Sequence, residues 1–288
     1  MHEPVDPTNA TNPDVSRRAF VELSVVTAAG VAATPHAVAQ TAALGQTHPP
    51  LVAEDDPSID AEVVTLHTAN GDIDAYAARP KNAGPETPGV VVIMHIWGVD
   101  TQIRDVVRRY AKAGFAAIAP NLYARFGAPS GDGVTDSSVF RKYPAQFEQP
   151  KLDDDVREAA MWLKTAAHKS KIGITGFCMG GHLALVQAIT NSDIFSAVAP
   201  FYGNPEGVDS AKIRIPVCGS YGARDTGIPA ASVEAFAAAL HVPNDVKIYP
   251  DAGHAFFDDQ RKAYVASAAE DAWNRTIAFF TKYGGQPA

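Results

Sequence analysis

GFCMGG, residues 176–181, lies between the apolar, β-rich run KIGIT (171–175) and HLALVQAIT (182–190), in which apolar residues recur at helical spacing. A strand that turns directly into a helix at a residue set between glycines has the pattern of a nucleophile elbow. Gly176 and Gly180 each stand two positions from Cys178, where a side chain on either neighbour would obstruct a sharply turned backbone. The residue at the tip is a thiol, not the usual hydroxyl.

Strand and helix signals alternate on both sides of this turn. AEVVTLHT (61–68) and IDAYAARP (73–80) flank Asn70-Gly71 as a β-hairpin. GVVVIMH (89–95) and FAAIAP (115–120) read as strands buried on both faces, with helical spacing from Thr101 to Gly114 between them. After the elbow come strands at Phe195–Phe201, Pro216–Tyr221 and Val246–Tyr249. Helices are expected at Leu152–His168, His182–Thr190, Ala230–Leu240 and Arg261–Tyr283. The alternation predicts an α/β chain with a mostly parallel, doubly wound sheet and helices on both faces. Residues 123–150, rich in Gly, Pro, Ser, Asp and aromatics, break the rhythm and read as a cap or loop over the site.

Of the 288 residues 46% are hydrophobic and 19% charged, enough for one sizeable core in a single catalytic domain, taken as 59–288. The formal net charge of −8 and the scattered basic residues argue against nucleic acid and favour a small-molecule substrate. No apolar run is long enough for stable membrane insertion. Within residues 1–39, SRRAFV (16–21), a weakly apolar stretch and HAVA (36–39) have the order of a twin-arginine signal with a small-residue cleavage site. This predicts export by the twin-arginine machinery to the periplasm or exterior, with residues 40–58 as a linker. Two cysteines are too few for a disulfide framework, and Cys218, in IPVCGSYG, reads as a buried small hydrophobe.

In a doubly wound sheet the carboxyl ends of the strands converge on one crevice. Three ends carry reactive residue types: Cys178, then Asp225 in GARDTGIP (222–229), then His254 in DAGHAF (251–256). Nucleophile, acid, base is the α/β-hydrolase chain order. A thiol needs His254 to hold its proton, and Asp225 would orient the imidazole and stabilise its cation. Oxyanion donors are expected from the backbone amides of Met179, next to the nucleophile, and Ile96, in the loop after GVVVIMH. There is no HExxH, CxxC, phosphate loop or dinucleotide fingerprint, so neither metal nor organic cofactor is expected.

HIWGV (95–99), PNLYAR (120–125), GFCMGG, PFYGN (200–204), GARDTGIP, AGHAF (252–256) and YVASAA (264–269) together resemble the dienelactone hydrolase, or carboxymethylenebutenolidase, family over roughly residues 60–285. The resemblance implies an α/β-hydrolase that opens a lactone or ester through Cys178, His254 and Asp225. The family's glutamate near the nucleophile is here His95. Of its two arginines for a substrate carboxylate, one matches Arg125 and the other position holds Asp258. An acid in place of an arginine reverses a charge that would bind an anion, which points to a neutral or differently charged substrate. Tyr123, Tyr202, Trp97 and His95 are the remaining candidates for the pocket. A non-catalytic small-molecule-binding protein and a thioester or acyl-transfer enzyme are the alternatives, and the oligomeric state is open.

Overall fold

The computed structural model describes residues 47–166 and 171–287; the signal-like segment 1–39 lies outside them. One eight-stranded sheet runs through the described chain in the order β1-β2-β4-β3-β5-β6-β7-β8. β1 (Ile59–Thr68) and β2 (Gly71–Pro80) form the expected antiparallel hairpin, and β2 pairs antiparallel with β4 (Ala116–Pro120). From β4 onward every pairing is parallel, through β3 (Gly89–Ile93), β5 (Ile172–Phe177), β6 (Phe195–Phe201), β7 (Ser220–Gly222) and β8 (Lys247–Tyr249). β3, β4 and β5 are buried at every residue, which explains why their apolar runs are unbroken and do not alternate.

The helices cover the sheet as the sequence requires. α1 (Thr101–Lys112) starts at Asp100, whose carboxylate accepts from the Ile103 N–H at 3.2 Å. Its Tyr110 meets Trp273 and Phe280 of α5 (Ala266–Gly284), with ring centroids 4.7 and 6.2 Å apart. α2 (Gln149–Ala166) and α3 (Met179–Thr190) pack beside each other, and α4 (Ala230–Ala238) lies against β7. The 123–150 segment contains three short 3-10 turns before α2 begins at Gln149.

Several boundaries move for local reasons. α3 begins at Met179, three residues before the apolar spacing becomes visible, because its first turn is the Met-Gly-Gly of the elbow. α5 begins at Ala266, not Arg261: the Val265 N–H donates back to the Phe256 carbonyl at 2.9 Å and holds the preceding residues in a loop. β7 shrinks to three residues, with Val217 making only isolated bridges to Val198 and Asn244. The expected linker is also revised over its described part. The N–H groups of Leu51 and Val52 each donate to the Asp105 carboxylate at 2.9 Å, and Arg108 Nε donates to the Val52 carbonyl at 2.7 Å. Composition cannot show such docking, because the bonds use the segment's backbone.

Candidate active site

The elbow is crowded to the point where only glycine fits. A Cβ on Gly176 would strike the Gly180 carbonyl, and one on Gly180 would strike the carbonyls of Ile93 and Met94 at the end of β3. The backbone thereby lifts Cys178 into φ 56°, ψ −117°, a region non-glycine residues rarely adopt. Two more non-glycine residues have positive φ, Tyr202 at 37° and Ala255 at 61°, and both adjoin the same site. Met179 opens α3, so helix geometry leaves its N–H without a carbonyl four residues back. Facing it is the β3–α1 loop, where the Tyr123 hydroxyl donates to the Ile96 carbonyl at 3.1 Å and lies 3.7 Å from Met179 Sδ.

The three sequence candidates meet in one line. His254 Nε2 is 3.0 Å from Cys178 Sγ, and His254 Nδ1 is 2.6 Å from Asp225 Oδ2. The second Asp225 oxygen accepts from the N–H groups of Gly227 and Ile228 at 2.9 and 3.2 Å, which fixes the carboxylate in the turn after β7. An ionised carboxylate only accepts, so Nδ1 carries a proton and Nε2 is the nitrogen that exchanges one with sulfur. Burial opposes a charged ring here, but the hydrogen bonds that the ring makes to Asp225 and to the Cys178 sulfur outweigh it and lift His254 to about 10. The Tyr202 ring packs 5.2 Å from the His254 ring and 5.5 Å from Phe256. Burial is the first of the causes that push its hydroxyl far above the ordinary tyrosine range.

His95 and Arg125 do other work than expected. His95 is only 3% exposed; its Nε2 is 2.8 Å from Asp100 Oδ1 and its Nδ1 3.8 Å from Asp258 Oδ2. Both ring nitrogens face carboxylates, leaving no edge for a ligand. Arg261 completes this group. Its Nε donates to Asp258 at 2.9 Å, and its guanidinium carbon sits 3.4 Å from the centre of the Trp97 ring. Burial pushes the Asp258 carboxyl up, against the pull of His95 and Arg261.

Arg125 forms a two-point ion pair with Asp155, at 2.6 and 2.9 Å, and also donates to Thr68 Oγ1 and to the carbonyls of Asn70 and Gly71. It clamps the β1–β2 turn to α2, so the fork that matched a carboxylate holder is already filled. Arg261 was the residue that sequence reasoning missed. It lies in a polar run, DDQRK, with no motif around it.

Trp97 and Tyr123 line a cavity of about 230 Å³ together with Val99, Asn121, Pro129 and Gly131. It adjoins the β3–α1 loop without including Cys178, His254 or Asp225.

Comparison with known proteins shows the family. The profile of the dienelactone hydrolase family matches residues 73–284. A Salmonella typhimurium protein named "Putative carboxymethylenebutenolidase" is 36% identical over 253 residues, covering 83% of this chain and 93% of its own length. A protein of the same name from Methylorubrum extorquens is 35% identical over 294 residues, covering 96% of each. Among solved structures, a "Putative Dienelactone Hydrolase" from Klebsiella pneumoniae is 32% identical and covers 78% of this chain and 99% of its own, with a TM-score of 0.72. The fold alone is shared with the dienelactone hydrolase-like promiscuous phosphotriesterase P91, 22% identical, TM-score 0.63 over 79% of this chain and all of that one.

Proposed function

The chain belongs to the dienelactone hydrolase family of hydrolases acting on ester or lactone bonds, and from that premise we propose that it works through a covalent thioester on Cys178, with His254 and Asp225 as its proton relay. The observation that carries this is the continuous line from the Asp225 carboxylate through both nitrogens of His254 to Cys178 Sγ.

The proton ledger runs through one nitrogen. The Cys178 proton rests on His254 Nε2, and the Asp225 carboxylate balances the resulting imidazolium. Sulfur attacks the carbonyl carbon, and the oxygen that gains charge is met by the N–H groups of Met179 and Ile96. As the tetrahedral centre collapses, the carbon–oxygen bond of the ester breaks and the leaving alkoxide takes the Nε2 proton. In a lactone that alcohol stays attached to the acyl group. Water then gives a proton to Nε2 while its oxygen bonds the acyl carbon, and the carbon–sulfur bond breaks to return the thiolate and imidazolium.

The substrate class is a small neutral ester or lactone. Arg125 is engaged with Asp155, and Asp258 stands where a second cation would be needed for a carboxylate. The deciding experiment is a panel of short esters and lactones, neutral and anionic, assayed with the unaltered protein and with Cys178→Ala. The alanine variant should lose activity on every active substrate; retained activity would sink the thiol mechanism. Preference for anionic lactones would overturn the substrate class alone.

The same proposal places the protein in the periplasm or exterior, supported by SRRAFV and HAVA in their order. Fractionation of cells making Arg17→Lys/Arg18→Lys should find the protein retained inside; unchanged export would refute the signal.

A further inference from the structure

His254 stands in a long loop whose Phe256 and Phe257 are buried in the core and whose carboxylates reach other elements. Between β8 and α5 the chain runs through sixteen residues, 250–265, without a helix or strand, and Ala255, directly after the histidine, has φ 61°. A left-handed alanine persists only where its surroundings impose it. Inside the loop, the Asp258 N–H donates to the Ala255 carbonyl at 3.0 Å and the Val265 N–H to the Phe256 carbonyl at 2.9 Å. A shift at 258–259 is therefore transmitted straight to the residues beside His254.

Asp259 is held from two directions. Its carboxylate, 1% exposed, pairs with Arg109 of α1, and the same guanidinium pairs with Asp105 one turn earlier. Asp105, fully buried, receives the N–H groups of Leu51 and Val52. The His48 N–H donates to the Asp259 carbonyl at 3.0 Å, its Nε2 is 3.6 Å from Asp259 Oδ2, and its ring packs edge-on to Tyr264 at 5.4 Å. Residues 48–52 thus touch the His254 loop directly at one end and, through Asp105 and Arg109, indirectly at the other. The second Asp259 oxygen is buried with no partner among the described residues. This carboxylate depends on Arg109 for its charge balance.

We propose that residues 48–52 form a strap which, through Asp105, Arg109 and Asp259, fixes the loop carrying His254 against Cys178, so that these three charged residues are positioning residues for the hydrolysis. None of them reaches the reacting atoms. Their effect is on the distance and alignment between imidazole and sulfur, where a displacement of about 1 Å can cost up to a hundredfold in rate.

The inference rests on the Cys178–His254 pair, so the test reads that pair first. Iodoacetamide alkylation is followed against pH in the full-length protein, with Cys178→Ala supplying the background from Cys218. In the unaltered protein, reactivity should persist well below the range of a free thiol, about pH 8.5. If it follows a free thiol, the pair itself is refuted.

In Asp259→Asn, shown to be folded by circular dichroism, the alkylation profile should move up towards that of a free thiol. kcat on a short ester should fall about tenfold with KM little changed. Asp105→Asn should do the same, and the double variant should be no worse than the worse single one, because both cut one chain of contacts. Folded single variants with the original profile and kcat would overturn the strap while leaving the triad intact. If both carboxylate variants fail to fold, His48→Ala decides. It should move the profile in the same direction by a smaller amount, and an unmoved profile would overturn the proposal.

Discussion

Two turns of chain hold Cys178 and His254, the pair proposed to react, and they are built on different principles. The elbow at 176–181 places sulfur by crowding: backbone of β3 and α3 approaches so closely that Gly176 and Gly180 admit no side chain. The loop from His254 to Val265 is tied by charge as well as by its buried Phe256 and Phe257: Asp258 meets Arg261, three positions on, and His95 just after β3, while Asp259 pairs with Arg109 of α1. Arg109 and Asp259 are 150 positions apart. A nucleophile fixed by neighbours in sequence leaves a short motif. A base fixed by distant charges leaves none.

The sharpest break falls on the crowded side. Gly180→Ala puts a methyl group into the carbonyls of Ile93 and Met94 at the end of the fully buried β3, backbone that cannot retreat. Loss of soluble folded protein, or of at least about a hundredfold in kcat/KM, is expected, read by circular dichroism and ester hydrolysis. A folded, active variant would mean that the elbow yields.

Asp225→Asn tests the relay without disturbing either turn. kcat should drop by about a hundredfold or more, since an amide stabilises the imidazolium poorly. The sign with pH follows from His254, raised from 6.5 to about 10. The stability from this pairing is complete below 6.5 and lost as pH rises through about 10; activity that needs the imidazolium falls on the same limb. In Asp225→Asn that alkaline limb should move downward, and a pH–rate profile measures it.

On the charged side the expected effects are smaller. Arg261→Met leaves Asp100 and Asp258 buried without their guanidinium, and urea unfolding should show a loss of about 2–3 kcal/mol. The least effect belongs to Arg224→Ala. Its partner Asp251 precedes His254, but the two side chains are 65% and 69% exposed, so stability should change by less than about 0.5 kcal/mol. A larger loss there would erase the distinction between buried and exposed charge in this loop.

The parts legible in the sequence were those written in short-range pattern. Buried strands announced themselves as apolar runs, and Cys178, Asp225 and His254 could be read because each follows a strand at the same edge of the sheet. Chain order then linked them. What escaped was set by side-chain pairings that no local pattern announces. His95 and Arg125 sit in matching motifs, yet each is engaged by a carboxylate, Asp100 in one case and Asp155 in the other, whose proximity only the folded chain creates. The 48–52 segment looked like linker because most of its hydrogen bonds are made by main-chain groups, which composition does not encode.

Cys178, Tyr202 and Ala255 with positive φ carry a further consequence. Each such non-glycine residue costs on the order of 1–2 kcal/mol, against a net folding stability of about 5–15 kcal/mol for a typical domain. Much of what the eight strands contribute beyond bare folding is thus the condition for keeping three residues in conformations they would otherwise leave. Any change that strengthens the sheet, however far from the crevice, enlarges the set of pocket substitutions the protein survives, and the breadth of substrates its lineage can sample is governed from the scaffold.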